Sequence, residues 1–179
     1  MRKYTEFQAE EWLGKKLDMK LKSRFFKALS FMALATVLAT AGCSALGNSF
    51  VEKEVNPKVD VMGVKLYMEE EEVEKAVGVK GEKAMCINGY EYGYIEENLN
   101  IGFNIDTDEV RRITTKNPET SIYGMHPGIS LEKAYEIIES EGFEKYQDDK
   151  YKFVKEDIIL SVISMKGSLA DGISIEIKP

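Results

Sequence analysis

Histidine and cysteine are scarce in this chain of 179 residues, which holds one histidine and two cysteines. His126 has no carboxylate at ligand spacing near it, so we expect no metal centre built on it. No Gly-x-Ser-x-Gly sequence is present and any serine triad would need His126, so we expect a plain loop residue there. The two cysteines, Cys43 and Cys86, are too few for a disulfide framework. Cys86 stands in an apolar segment, which favours a buried thiol over a reactive one.

Positive charge is also scarce over most of the chain. Residues 1–42 carry eight Lys and Arg against four Asp and Glu, a net charge of +4, whereas residues 43–179 carry 16 against 27, a net charge of −11. A surface of that sign repels phosphate groups, so we expect no nucleic-acid partner. Attachment to anionic lipid through charge alone is disfavoured for the same reason.

A mostly apolar run over residues 28–41 is too short to span a membrane and is typical of an export signal. Its 14 residues suit the apolar segment of a signal peptide, whereas a spanning helix needs ~20. Residues 1–18 would be an unusual extension of such a signal, and a start at Met19 would give an ordinary one. Four basic residues precede the run, namely Lys20, Lys22, Arg24 and Lys27.

The run ends in Thr40-Ala-Gly-Cys43, which resembles the lipobox of bacterial lipoproteins, with Thr40 where such signals usually carry Leu. The resemblance implies cleavage before Cys43 and acylation of its thiol. Acyl chains would then hold the protein on the extracytoplasmic side of the cell membrane. The alternative is a plain secretory signal with an incidental cysteine. We therefore predict a signal peptide over residues 1–42 and a lipidated, flexible tether over residues 43–58.

The rest of the chain divides into two halves of one pattern, residues 59–118 and 119–179. In each half an apolar stripe at helical spacing ends at a glycine, Gly78 or Gly142, and alternating strands follow. In the first half Asn88-Gly89 predicts a hairpin turn between two strands. The predicted fold is therefore α+β, with two tandem repeats that each hold one helix followed by about four antiparallel strands.

Matched residues recur at a near-constant spacing, which indicates a tandem duplication. Gly63 and Gly124 are 61 residues apart, and Ile113 and Ile175 are 62 apart. A unit of about 60 residues buries little apolar surface, and joining two units improves the ratio of core to surface. Further matches join Tyr92 to Tyr151, Leu99 to Leu160, and Ile101 to Val162.

The second half also carries a family resemblance, over Ile122-Tyr-Gly-Met-His-Pro-Gly-Ile-Ser-Leu-Glu-Lys-Ala-Tyr135 and the alternating strands after it. This stretch is similar to the small α/β repeats of β-lactamase-inhibitory-protein-like lipoproteins. It also resembles the SmpA/OmlA-type lipoproteins of outer-membrane assembly. The resemblance implies a protein-binding surface on the sheet instead of an active site.

Aromatic side chains supply the candidate binding residues. Tyr90, Tyr92 and Tyr94 alternate along one strand and so point to one side of it, where tyrosine is enriched at interfaces. Asn98 and Asn100, at and beyond the start of the next strand, would border such a site. The alternative is that the tyrosines pack under a helix as core.

Acidic runs give no metal site. Consecutive helical residues point in different directions, so Glu69–Glu72 cannot converge on one ion, and Asp106–Glu109 lacks the glycine and glutamate of a calcium loop. We expect no cofactor. The sequence predicts a non-catalytic binding or protein-interaction module of the cell envelope, with an envelope protein as partner. The alternatives are an envelope hydrolase using a carboxylate pair and a structural lipoprotein without a specific ligand.

Overall fold

The computed structural model describes residues 49–86, 89–165 and 167–178. The predicted signal peptide, its Cys43 and the first part of the predicted tether lie outside these ranges. Within them the chain is α+β, with two short α-helices and a large antiparallel sheet.

Helix α1 spans Glu70–Val77 and helix α2 spans Leu131–Ser140. Ser130 caps α2, since its hydroxyl oxygen accepts a hydrogen bond from a backbone amide of the first turn at 3.3 Å. Gly78 ends α1 in the left-handed conformation with φ of 80°, and Gly142 follows α2 with φ of 77°. Both predicted helix ends are confirmed. Glycine suits these positions because it adopts the left-handed conformation without a steric penalty.

Ten strands occur among the described residues. They are Val59–Asp60 (β1), Glu82–Cys86 (β2), Gly89–Tyr94 (β3), Leu99–Asn104 (β4), Val110–Thr115 (β5), Ser121–Ile122 (β6), Glu144–Lys145 (β7), Lys152–Lys155 (β8), Ile158–Ile163 (β9) and Gly172–Ile177 (β10). β1 and β6 pair with each other, and the other eight form one antiparallel sheet in the order β2-β3-β4-β5-β10-β9-β8-β7.

The two groups of four strands meet at the centre of this sheet. Helix α1 precedes β2 to β5, helix α2 precedes β7 to β10, and β5 pairs with β10. In that central pair Ile113 lies opposite Ile175, and the hydroxyl groups of Thr114 and Ser174 are 2.8 Å apart. The joint is therefore an ordinary antiparallel ladder, with apolar side chains on one face and polar ones on the other.

One face of the sheet forms the core with both helices, which bury Val73, Val77, Ala134 and Ile138 against it. Because side chains alternate along a strand, a single row of paired residues crosses six strands on this covered face. The row is Tyr92, Ile101, Ile113, Ile175, Leu160 and Phe153, and every member is buried.

The segment over residues 49–58 corrects the predicted tether. Residues 51–55 form one π-helical turn and residues 56–58 one 3₁₀ turn, and Val51 and Val55 are buried in the core. Asn56 fixes the segment, because its side-chain amide donates to the Leu66 carbonyl at 3.1 Å and its side-chain oxygen accepts from the Leu66 amide at 3.0 Å. The prediction of a flexible tether is therefore wrong from residue 49 onward.

The first hairpin also differs from its prediction. Gly89 already pairs with Cys86 in the ladder, so it belongs to β3 and not to the turn. Its φ is 144°, and a Cβ atom there would stand 2.0 Å from the Phe103 carbonyl oxygen. Glycine is needed at this position because β4 approaches the backbone too closely for any side chain.

We predict that Val55→Ala destabilises the protein by about 2 kcal/mol, because it leaves a cavity under the N-terminal turn. The measurement is urea unfolding of both proteins. Glu54→Ala, an exposed neighbour in the same turn, is the control and should change the free energy of unfolding by less than about 0.5 kcal/mol. Equal, small effects from both variants would restore the tether interpretation.

Candidate functional site

The three predicted tyrosines lie on the covered face of β3. Tyr90, Tyr92 and Tyr94 are only 4 %, 4 % and 2 % exposed. Tyr90 stacks on Phe103 with ring centroids 5.1 Å apart, and Tyr92 meets the same ring edge-on at 5.7 Å. The rings thus pack as core beneath α1, which is the alternative considered for them, and they do not form an open aromatic strip.

Their hydroxyl groups reach a polar cluster at the start of α1. Tyr92 donates a hydrogen bond to Oε1 of Glu70 at 2.6 Å. The Tyr90 hydroxyl lies 3.1 Å from Oε2 of Glu70 and 2.9 Å from Oδ1 of Asp108, although it has one proton to donate. Lys83 completes the cluster, with Nζ 3.5 Å from Glu70 and 3.8 Å from the centroid of the Tyr90 ring.

The cluster stabilises the ionised form of Glu70. The hydrogen bond from Tyr92 is the largest cause of a lowered pKa for the Glu70 carboxyl, and Tyr90 and Lys83 lower it further against the opposing effect of burial. The pKa of Tyr90 is raised, first by burial and then by its bonds to Asp108 and Glu70. Burial and Glu70 also raise the pKa of Tyr92. Both phenols therefore stay protonated and act as donors at neutral pH.

Glu70 and Asp108 also provide a test of the hydrolase alternative. Because both contact the Tyr90 hydroxyl, at 3.1 and 2.9 Å, the two contacting oxygen atoms are no more than 6.0 Å apart. They line a cleft of about 530 Å³. A glycoside-hydrolase pair needs one acid with a raised pKa to protonate the leaving group, whereas the pKa of Glu70 is lowered. The spacing fits such a pair, but the electrostatics of Glu70 do not fit a general acid.

The predicted asparagines lie apart from Tyr90 and Tyr92. Asn100 pairs with Gly93 and Thr114 in the ladder, so its side chain is on the face opposite Tyr92. Asn98 is an exposed turn residue with φ of 52°. Tyr94 borders the same shallow depression of about 310 Å³ as the two asparagines. The five predicted residues therefore do not converge on one site.

The face of the sheet opposite the helices is hereafter called the open face. The family resemblance implies a binding surface on the sheet, but apart from Asn100 the residues of this face were not singled out from the sequence. At its centre Arg112 forms an ion pair with Glu91 at 2.7 Å, across the intervening strand β4. Gly102 lies between the two, and a Cβ atom there would stand 3.3 Å from the Cβ of Arg112. Glu176 on β10 lies directly opposite Arg112 on its other side. This row of alternating charge requires pairing between distant residues, so no local sequence signal reveals it.

His126 and Cys86 were also considered at the outset. His126 is exposed, and its Nδ1 contacts the carbonyl oxygen of Pro127 at 3.0 Å. Cys86 is a free thiol at the end of the edge strand β2 and is half-buried, so the expectation of a buried thiol is wrong. In the described part of the chain no group of three or more His, Cys, Asp or Glu could hold a metal ion. No helix among residues 49–86, 89–165 and 167–178 has the length and apolar character needed to cross a membrane.

No family model matches the chain, and no curated protein or solved structure is detectably similar to it. The lipobox and repeat resemblances therefore stay predictions made from the sequence.

We predict that Glu70→Gln destabilises the protein at pH 7 by about 1 kcal/mol, because it removes charge-assisted bonds from a partly exposed cluster. The folded-state pKa of Glu70 lies below the ordinary 4.5, so its stabilisation is present above pH 4.5 and is lost as the pH falls through the folded value. Urea unfolding across pH should show the difference between wild type and variant shrinking below pH 4.5.

Glu71→Gln is the matched control for this prediction, since Glu71 is the next residue of α1 and is exposed. It should have little effect at either pH. A Glu70→Gln difference that stays constant from pH 7 to pH 3 would contradict the role of the ionised carboxylate.

Proposed function

We propose that the protein is a membrane-anchored extracytoplasmic lipoprotein that acts as a non-catalytic binding module, with the open face of its sheet as the contact surface for an envelope protein. The observation that carries the proposal is the open face itself. Both described helices pack on the other face. On the open face Glu91, Asn100, Arg112, Thr114 and Ser161 are half-buried, and Ile159 and Ser174 are buried.

The size of the open face supports a protein as the partner. Strands lie about 4.8 Å apart and rise about 3.4 Å per residue, so eight strands of up to six residues span about 34 Å by about 20 Å. The strands β2, β8 and β7 hold only five, four and two residues, which reduces the face to roughly 580 Å². A standard protein interface buries about 800 Å² on each partner, so this face could supply most of one.

The composition of the open face supports the same conclusion. Small side chains such as Ala84, Gly93, Gly102 and Ser161 keep it low, and the depression beside Asn100 is shallow. Small-molecule sites are concave and bury most of their ligand, so a low, broad face suits a macromolecular partner better. The charged row of Glu91, Arg112 and Glu176 would fix the register of that partner.

The lowered pKa of Glu70 argues against this residue as the general acid of the hydrolase alternative. Glu70 is ionised and accepts hydrogen bonds from Tyr92 and Tyr90, so it serves to hold α1 on the sheet. A structural lipoprotein without a specific ligand stays as the other alternative. It differs from the proposal in having no discrete contact at the open face.

We also infer that the two halves arose by tandem duplication, as the sequence predicts. Met62 and Gly63 have φ of 52° and 79°, and Tyr123 and Gly124, 61 residues later, have φ of 55° and 74°. Each pair turns the chain, with amide-to-carbonyl bonds of 2.9 Å over residues 61–64 and 3.0 Å over residues 122–125. Two matching left-handed pairs that include a non-glycine residue are unusual, so they support a common origin.

The pairing of β5 with β10 also supports the duplication. It changes some of the residue correspondences between the two halves that the sequence suggested. If Ile113 corresponds to Ile175, that pair maps onto itself, and the pairs Thr114–Ser174 and Arg112–Glu176 map onto each other. The neighbouring ladders then align Ile101 with Leu160, in place of Val162. They align Tyr92 with Phe153 in place of Tyr151, and Leu99 with Ile158 in place of Leu160.

We predict that Cys43 is the site of lipid attachment. Cells expressing the full chain and grown with an alkyne-bearing fatty acid should yield labelled protein, and Cys43→Ala should abolish the label. Cys86→Ala is the matched control and should keep it, because Cys86 lies in the folded part. Equal labelling of wild type and Cys43→Ala would exclude the lipoprotein assignment.

We predict that a photo-crosslinking residue at Ser161 or Thr114, both on the open face, captures a discrete protein adduct in intact cells. The same residue at Glu132 or Glu139, exposed on α2, is the control and should capture none. If the open face contacts a partner, a crosslinker at Ser161 or Thr114 lies within reach of that partner, whereas one on α2 does not. Absence of adducts at both open-face positions would favour a structural lipoprotein.

A further inference from the structure

A β-bulge between β4 and β5 gives Arg111 an unusual placement. Gly102 pairs with Arg112 and Phe103 pairs with Val110, so Arg111 is the extra residue of the bulged strand and has no ladder partner. Bulges re-aim a side chain and are common beside binding sites. The side chain of Arg111 lines a cavity of about 560 Å³ at this end of the sheet. That volume lies within the range of small-molecule sites.

The guanidinium of Arg111 lacks a partner in the part of the chain that the structure describes. Its Nε is buried and makes no hydrogen bond, and no carboxylate of the described residues forms an ion pair with it. Arg112, the next residue, pairs with Glu91 on the open face. A buried donor without an acceptor is costly, and an anion that enters the cavity would supply an acceptor for this Nε.

Tyr67 on the wall of the same cavity has a strained backbone. Its φ is 69°, a left-handed conformation that is unfavourable for a bulky aromatic residue. Two backbone bonds hold it there, since its amide donates to the Val110 carbonyl at 2.8 Å and the Val110 amide donates to the Met68 carbonyl at 2.9 Å. Strain of this kind clusters at binding sites. A bulge, an unpaired guanidinium and a strained tyrosine therefore meet at one cavity.

We propose that this cavity binds a small monocarboxylate with an apolar body, whose carboxylate pairs with Arg111. The guanidinium offers two parallel donors that match the two oxygen atoms of a carboxylate. Tyr67, Ile105 and Ile177 provide apolar surface for the body of the ligand. Lys178 also lines the cavity, and its ammonium donates to the Glu156 carbonyl oxygen at 2.6 Å. This site lies outside the open face and does not depend on the proposed function.

Acidic residues at the cavity select for a single negative charge. Asp106 and Glu109 also line it, and the charges of Glu109 and Asp157, together with burial, raise the pKa of Tyr67. Each added negative charge on a ligand would be repelled by these carboxylates. A dianion such as phosphate is therefore disfavoured. A monocarboxylate can form the ion pair with Arg111 and is repelled least by the carboxylates of Asp106 and Glu109.

The test is a titration of the purified full chain with benzoate, benzamide and inorganic phosphate, followed by amide chemical shifts and by the melting temperature. Benzamide has the size and ring of benzoate without its charge. We expect benzoate to shift the signals of residues around Arg111 and to raise the melting temperature. Benzamide and phosphate should bind at least tenfold more weakly, because the charged hydrogen bonds are absent or opposed.

Arg111→Gln and Arg112→Gln are the matched variants, since they remove the same charge from adjacent residues. Arg111→Gln should weaken benzoate binding at least tenfold, whereas Arg112→Gln should leave it within twofold. Arg111→Met keeps the test valid if the glutamine variant misfolds, because an apolar side chain of similar length suits the cavity walls. Equal binding of benzoate and benzamide, stronger binding of phosphate, or equal losses in the two variants would overturn the proposal.

Discussion

The antiparallel pairing of β5 with β10 is the interaction on which the rest of the structure depends. It joins two four-stranded groups that would each have about 60 residues and little core of their own. Ile113 and Ile175 face each other there and are fully buried, so the joint lies at the centre of the core. It also removes two sheet edges that would otherwise be free to pair with other chains. The width of the open face follows directly from this joint.

Because the helices cover one face of the sheet, the side chains on its two faces have different surroundings. The tyrosines of β3 turn towards α1, and their hydroxyl groups are held by Glu70 and Asp108. Those acids are thereby committed to holding a helix in place. On the opposite face the same strand presents Glu91 and Gly93, which are half-buried and leave room for neighbouring side chains. The proposed binding surface therefore lies on the opposite face of the sheet from the conspicuous aromatic residues.

Local features of this fold were predictable, and features that depend on distant pairing were not. Ser130, Gly78 and Gly142 mark helix ends through their own chemistry, and strand alternation needs only the chain around it. Strand β7 is two exposed residues and has no pattern to detect. Val51 and Val55 are the only apolar positions of their turn, so their burial depends on a core assembled far along the sequence. The open face and the face chosen by the tyrosines follow from the same assembly.

Arg111 and Arg112 show how one inserted residue places two adjacent arginines in different surroundings. In a regular strand, two neighbouring side chains point to opposite faces, and each of the two residues is paired with a residue of the adjacent strand. The bulge removes Arg111 from the ladder while Arg112 keeps its position opposite Gly102 and Glu176. One arginine is thus paired and fixed on the surface, and the other lines a cavity with a buried, unsatisfied Nε. Deleting the extra residue would leave both flanking pairs, Phe103 with Val110 and Gly102 with Arg112, in register and would remove the arginine that lines the cavity.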